Sequence, residues 1–385
     1  KKKIVILGST GSVGSKTFEI FKKDKKNFKV VLLSTYSNVN KVIKQAKTLN
    51  VKNIIINDND AYLKAKKKYK NSKIKLFNDF KVINKLYKSK EIHYAMVSVS
   101  GLAGLKPTIF LTKYTKNLAI VNKESLICGW DLIKRNLRKN NTNFVPIDSE
   151  HYSIFNLMKG YSYTDIKKVY ITASGGPFLN YSKKKFKTIK LKNALKHPNW
   201  KMGKKITIDS STLMNKVFEV IEAKNLFNLS YKKISVLTHP NSYIHAVIQF
   251  KNGIIKFLLH EPDMKIPIYN SIYYKLKMKT KDINLKIINN PLLKKVDENK
   301  FPLINLLKNL PKHNSLYETA LISINDFFVY KFLENKISFN KLMKLIYKTS
   351  SLKEFTRYKK IRPKRIEDIY NLSNYVSLKL SKLSI

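Results

Sequence analysis

The first 150 residues alternate short apolar runs with lysine-rich amphipathic stretches, and few folds accommodate that rhythm. Ile4–Leu7, Val30–Thr35, Asn53–Asn57, Tyr94–Ser100, Leu118–Val121 and Phe144–Ile147 are apolar enough to be strands buried on both faces. Helical periodicity separates most of them, as in Val39–Asn50 and Ala61–Tyr69. Strand and helix in alternation predict crossover units and a parallel, doubly wound α/β sheet over 1–148. From about Asp148 the texture changes. Ser, Gly, Pro and His punctuate the chain, and Val169–Ala173, Ile234–His239, Ile244–Phe250 and Ile254–His260 predict an α+β domain over 149–273 with some antiparallel pairing. Residues 274–300, polar and rich in lysine, read as a connector. Residues 301–385 read as a C-terminal helical bundle, in which Ser315-Leu316-Tyr317-Glu318 is a capping-box signature.

A formal charge of +51 raises the question of nucleic acid. Of 76 basic residues, however, only Arg135, Arg138, Arg357, Arg362 and Arg365 are arginines. Guanidinium forks do most base-edge recognition, so this composition opposes specific DNA binding. The lysines are also spread along the whole chain, as solvated faces are, and their field would draw phosphorylated anions inward. The lone Cys128 permits no internal disulfide and favours a reducing compartment. No run approaches 18 apolar residues, which opposes a membrane span, and a strand pattern by Ile4 leaves no room for a signal peptide. The expected location is the cytoplasm, or a plastid if a transit peptide has been removed.

Gly8-Ser9-Thr10-Gly11-Ser12-Val13-Gly14 lies between the first strand and a helix predicted from about Thr17. Glycines there let the backbone approach a pyrophosphate at a helix start, although a tight turn without a ligand would need the same residues. The second strand ends in Tyr36-Ser37-Asn38 with no carboxylate to bind a ribose hydroxyl, and Lys41 lies close by; both favour NADP over NAD.

Asp148-Ser149-Glu150-His151 follows the strand Phe144–Ile147. In extended backbone, Asp148 and Glu150 would point the same way. Glu219 falls on a helix predicted over Ser211–Phe227, whose face also carries Asn215, Lys216 and Glu222. Three hard oxygen donors suit Mg²⁺ or Mn²⁺, whereas the first two acids could equally do no more than cap the next helix. Ser174-Gly175-Gly176-Pro177 is a pause suited to backbone amides holding an anion. His197-Pro198-Asn199-Trp200-Lys201-Met202-Gly203 could close over a pocket, or be a surface loop pinned by its tryptophan.

GSTGSVG, NKES (122–125), VPIDSEH (145–151), SGGPF (174–178), KHPNWKMG (196–203), DSSTLMNK (209–216), the following Glu219 and EPDM (261–264) occur in this order. Together they resemble the 1-deoxy-D-xylulose 5-phosphate reductoisomerase family. The resemblance implies a Rossmann-like NADPH-binding domain, a catalytic domain that also dimerises, and a helical C-terminal domain. It implies a homodimer that rearranges and reduces a sugar phosphate to 2-C-methyl-D-erythritol 4-phosphate in the non-mevalonate isoprenoid route. The cofactors implied are NADPH and Mn²⁺ or Mg²⁺, with Co²⁺ as a substitute.

By the same resemblance Thr10, Gly11, Ser12, Val13, Asn38, Asn122, Glu124 and Gly203 would meet NADPH. Asp148, Glu150 and Glu219 would hold the metal, and Lys123 and Ser149 the substrate's oxygens. Ser174, Ser210, Asn215 and Lys216 would grip its phosphate with His197 nearby, and Trp200 and Met202 would belong to a flap. The chain departs from the family pattern at Tyr36-Ser37, at Val217-Phe218, at Asn241 and over Leu321–Asp326. Two other readings make different predictions. Another NADP-linked dehydrogenase on this scaffold would not need the three acids, and a non-catalytic nucleic-acid binder would lose affinity steeply with salt.

Overall fold

A computed structural model describes residues 1–273, 289 and 291–382. They fall into two compact units. The first comprises Lys1–Ser125, Asp131–Asp148 and the described part of Met264–Met278; the second comprises Leu126–Trp130, Ser149–Asp263 and the described part of Lys279–Ile385. Of the expected connector, residues 274–288 and 290 lie outside the described residues.

In the first unit, β1 (Lys2–Leu7), β2 (Phe28–Thr35), β3 (Asn53–Ile56), β4 (Lys75–Phe77), β5 (Ile92–Val97), β6 (Thr115–Ile120) and β7 (Asn143–Pro146) form a parallel sheet. Their order is β4-β3-β2-β1-β5-β6-β7. Helices Ser12–Lys23 and Val39–Leu49 bury Phe18, Phe21, Val42 and Ile43 with Ile4, Ile6 and Leu33 of the sheet. The sequence's alternation is therefore a true crossover pattern, with β4 the strand it did not reveal. Three residues beginning with lysine, at the sheet's edge, carry almost no burial signal. From β1 the chain walks outward to β4 and then returns to start again at β5. That reversal puts the carboxyl ends of β1 and β5 where open sheets take ligands.

The second unit holds a mixed sheet of β8 (Ile166–Ala173), β9 (Ile234–Thr238), β10 (Ile244–Phe250), β11 (Ile255–Leu259) and β12 (Lys294–Lys295), in the order β11-β10-β8-β9-β12. β10 runs antiparallel to both neighbours, and β8 pairs parallel with β9. Helix Ser149–Leu157 packs on β10, and helix Met214–Phe227 on β8 and β9. Ile154, Val169, Ile171, Val220, Ala246 and Ile248 are all buried in the resulting core.

The helix expected over Ser211–Phe227 is interrupted. Lys204–Ser211 ends first, Leu213 turns the chain with φ +60°, and a new helix begins at Met214. The positive φ at Leu213 is a backbone feature that hydrophobic periodicity does not show. At the C-terminal end, helix Leu316–Leu333 is buried along most of its length and packs on helices Phe339–Ser350 and Ile366–Ser381. Its capping box forms as the sequence indicated, with Glu318 accepting from the Ser315 amide. Burial pushes that carboxyl up to about 7.

Candidate functional site

Gly8 leaves β1 with φ +75°, and a Cβ there would sit 2.4 Å from the Ser98 carbonyl oxygen at the end of β5. At Gly14 a Cβ would lie 2.2 Å from the Gly8 carbonyl oxygen. Only glycine lets the helix start this close to the turn. The helix opens at Ser12, five residues before the expected start, with Gly11 as its N-cap and no acid in its first turn. Its free N–H groups therefore face no competing charge. Neutral hydrogen bonds hold the turn. The Gly8 amide donates to Ser34 Oγ (2.8 Å), Ser9 Oγ to Gln45 Oε1 (2.7 Å), and Thr10 and Thr35 share a 2.7 Å hydroxyl contact. Asn38 caps the next helix by accepting from the Lys41 amide, and Lys41 Nζ donates to the Thr10 carbonyl at 2.8 Å.

Asn122 links the ends of two strands. Its amide donates to the Val99 and Gly101 carbonyls (2.5 and 2.7 Å), and its Oδ1 accepts from the Ser125 amide at the start of helix Lys123–Cys128. A third contact, 3.2 Å, reaches Glu124. In that helix, Lys123 forms an ion pair with Asp148.

Asp148 is joined to Glu150 through Ser149, and Ser149–Leu157 is helical. The expectation that the two acids align along extended backbone is thus corrected: Glu150 sits in the first turn of a helix, and both acids approach Glu219. One carboxylate oxygen from each of Asp148, Glu150 and Glu219 lies within 4.8 Å of the others. Glu150 and Glu219 are buried. Between them is the Lys216 ammonium, which donates to Glu150 Oε1 at 2.6 Å and also to Glu219. Burial alone would lower the Lys216 pKa, but the two carboxylates outweigh it and hold the amine above its ordinary range. Asn215 Nδ2 donates to Glu219 Oε1 (2.5 Å), and the Ser149 hydroxyl donates to Glu150. A positive charge already seated among carboxylate oxygens, with no soft ligand in the trio, fits a hard divalent cation.

His151 and Glu222 lie beside this group and were given no role from the sequence. His151 Nε2 meets the Glu219 backbone carbonyl at 2.9 Å, and its Nδ1 lies 3.9 Å from Glu222. The Glu219–Glu222 spacing on one helix was the available signal.

A second cluster gathers around His197. Its Nδ1 accepts from the Asn199 and Trp200 amides at 3.1 and 3.0 Å, so the ring proton sits on Nε2, 3.1 Å from both Ser174 Oγ and Ser210 Oγ. Burial, and then the nearby Lys216 charge, lowers the His197 pKa to about 4. Gly175 and Gly176 both have positive φ, and a Cβ on Gly176 would press on the Ser211 Cα at 3.0 Å, so the Ser-Gly-Gly turn lies directly against the Ser210 helix. Asn199 Nδ2 ties the following loop to the Pro240 carbonyl (2.6 Å) and Ser242 Oγ (2.8 Å). Trp200 is half-buried, its ring edge-on to His245 at 6.2 Å; Met202 is half-buried and Gly203 exposed. Helix Lys204–Ser211 is anchored in turn. Asn325 Nδ2 donates to Asp209 Oδ1 at 2.8 Å, and Lys205 pairs with Asp209 (3.1 Å) and Asp326 (2.9 Å). These anchors come from the segment Leu321–Asp326, and only the Lys205–Asp209 spacing could be seen in the sequence.

Models of the 1-deoxy-D-xylulose 5-phosphate reductoisomerase match residues 4–129, of its C-terminal domain residues 144–227, and of a further DXP reductoisomerase C-terminal domain residues 259–377. A 1-deoxy-D-xylulose 5-phosphate reductoisomerase of Pelagibacter ubique is 52% identical over 100% of both chains. The chain belongs to the 1-deoxy-D-xylulose 5-phosphate reductoisomerase family. A Clostridium kluyveri reductoisomerase is 38% identical over 88% of this chain and 89% of its own. Among solved structures, a DOX-P reductoisomerase in complex with NADPH, fosmidomycin and magnesium superposes with a TM-score of 0.90 at 28% identity, covering 99% of this chain and 98% of that one. The Zymomonas mobilis reductoisomerase in complex with NADPH gives 0.86 at 27% identity over the same shares. The Rossmann-like sheet, the second sheet and the C-terminal helices are the fold of this reductoisomerase family.

Proposed function

We propose that the two clusters and the glycine turn each serve the reductoisomerase reaction. The chain is an NADPH- and divalent-metal-dependent enzyme that converts 1-deoxy-D-xylulose 5-phosphate to 2-C-methyl-D-erythritol 4-phosphate in the non-mevalonate isoprenoid route. The observation that carries this reading is the approach of Asp148, Glu150 and Glu219 within 4.8 Å, with a buried ammonium between two of them. When bound, the cation supplies a Lewis acid and NADPH a hydride donor. The chain's own residues bind, orient and exclude water.

In this reading Asp148, Glu150 and Glu219 hold the cation. Lys123 and Ser149 meet the substrate's oxygens, the ammonium offering fixed positive charge where oxygen charge develops. Ser174, Ser210, Asn215 and Lys216 grip the phosphate, and His197, neutral with its proton on Nε2, adds a donor that needs no counter-charge. That grip fixes the substrate's orientation. Trp200 and Met202 form a flap that keeps water out, hinged behind the Asn199 tether. Thr10, Gly11, Ser12, Val13, Asn38, Glu124 and Gly203 receive NADPH. Asn122 joins them through its backbone, since its side chain is committed to strand ends. Lys41 and the carboxylate-free end of β2 support NADPH over NADH.

The same proposal includes a homodimer, supported by the edge strand β11, where Ile255, Phe257 and Leu259 stand 52%, 47% and 40% exposed on alternate positions. It also places the enzyme in the cytoplasm, which suits a lone, buried, reduced Cys128. Mixing protein, NADPH, Mn²⁺ and 1-deoxy-D-xylulose 5-phosphate should oxidise the nicotinamide, and chelator should stop it. Continued turnover in chelator would refute the metal reading.

A further inference from the structure

We propose that a basic cavity of the second unit, built by the C-terminal helices, binds a soluble amphiphilic anion: a phosphate ester with a short hydrocarbon tail. The cavity encloses about 790 Å³. Its apolar lining is Phe186, Met343, Pro302, Tyr347 and Leu352, of which Phe186 and Met343 are buried and so form its floor. The Phe186 ring packs edge-on against Phe301 and Phe339, so this floor is part of the folded core.

Lys183, Lys300, Lys344 and Lys348 also line the cavity. Among the described residues that line it, none is acidic. Lys300 donates to the Leu179 carbonyl at 2.8 Å and is thereby held in place. Lys344 and Lys348 stand four apart on helix Phe339–Ser350, so like charges face each other across one turn, an arrangement that costs stability unless an anion offsets it. Some surface lysines do meet acids, as Lys308 meets Glu298 and Lys336 meets Glu334, but no acid among the described residues lines this cavity.

An apolar floor in a lysine-lined cavity selects a ligand with both characters. A simple anion leaves the floor wet, and a neutral hydrocarbon leaves the lysines without an anion. Asn299, Asn340 and Ser351 add neutral donors to the lining, which suits the several oxygens of a phosphate head. A concave seat also fits a free ligand better than a flat bilayer, so the occupant is soluble.

Isothermal titration of the full-length protein tests this with n-octyl phosphate, inorganic phosphate and 1-octanol. Octyl phosphate should bind roughly tenfold or more tighter than either part alone, because methylenes are buried only when the head is seated. Lys344→Ala/Lys348→Ala should remove most of that advantage. Lys66→Ala/Lys67→Ala, on an exposed helix of the first unit, should leave it intact. The proposal fails if octyl phosphate binds no tighter than phosphate, or if both lysine pairs weaken it equally, since a diffuse cationic surface would then explain the binding. It also fails if phosphatidic acid vesicles bind through the Lys344–Lys348 pair as well as octyl phosphate does. Met343→Gln, which leaves the charges untouched, should reduce octyl phosphate binding while sparing phosphate; the reverse would remove the apolar floor from the site.

Discussion

The turn after β1 is held mainly by hydrogen bonds among neutral groups, with one exposed ammonium on the Thr10 carbonyl, and by two glycines that let backbone pass against backbone, whereas the cluster around Glu150 and Glu219 is held by buried charge. The turn is already shaped and carries no acid that must be neutralised. The cluster is partly offset within itself, Lys216 lying between the two glutamates and Lys123 against Asp148, and three carboxylates still outnumber two ammonium groups. Shape set by backbone tolerates changes of charge and fails on added volume. A site set by charge tolerates small changes of volume and fails when one partner is removed, because the remaining charges stay buried.

The largest effect should come from Glu219→Gln, which keeps size and removes one charge. Its kcat/KM should fall by about 10³-fold or more, an order of 4 kcal/mol in transition-state stabilisation. NADPH affinity, followed by fluorescence quenching, should stay near that of the unaltered protein. A variant retaining a tenth of the activity would remove Glu219 from the proposed ligand set. Next in size is Gly8→Ala. The new methyl would meet the Ser98 carbonyl, and alanine resists φ +75°. NADPH affinity should fall roughly a hundredfold, while Mn²⁺ binding read by paramagnetic resonance stays unchanged. Loss of both together would mean that the two regions do not behave separately.

The same contrast explains what could be read from the sequence. Backbone-determined features were legible: the strand rhythm, the glycine turn and the Ser-Gly-Gly pause each need particular residues at fixed spacing. Glu150 and Glu219 were legible as residues but not as a geometry, because Glu150 begins a helix instead of continuing a strand. Asn325 and Asp326 were opaque. They lie more than 110 residues along the chain from the Asp209 and Lys205 they anchor (325 against 209, 326 against 205), and nothing local marks a pairing that tertiary packing alone creates. The break at Leu213 was hidden because it rests on a positive φ at a leucine, which no residue type there announces.

His197 belongs to the charge-set region yet is itself neutral, and so offers a test of intermediate size. Its pKa is lowered to about 4, first by burial and then by Lys216. A folded value below the ordinary 6.5 means that its contribution to stability is full above that value and is lost as pH falls toward 4. The imidazole resonances should therefore show no titration between pH 8 and 5. In Lys216→Ala the midpoint should move back toward the ordinary value, and the substrate KM should rise about tenfold while kcat falls as well, because Glu150 and Glu219 lose their shared partner. An unshifted midpoint would show that burial alone sets the histidine, and an unchanged KM would remove Lys216 from the phosphate grip.

The smallest effect should be that of Lys41→Ala, because Lys41 is exposed and its influence is screened. Its ammonium donates to the Thr10 carbonyl at 2.8 Å, beside a β2 end that carries Tyr36, Ser37 and Asn38 but no carboxylate. A phosphate on the ribose would add a charged partner for that ammonium, whereas a bare ribose would not. An exposed pair of this kind contributes about 1 kcal/mol at most, so the ratio of kcat/KM for NADPH over NADH should fall about fivefold and no further. The fall should be larger in dilute buffer than at high salt. A ratio that is unchanged in dilute buffer would place cofactor preference on the backbone of the turn, making that region wholly shape-determined. A fall of a hundredfold would mean the opposite: the turn, too, would depend on a single well-placed charge.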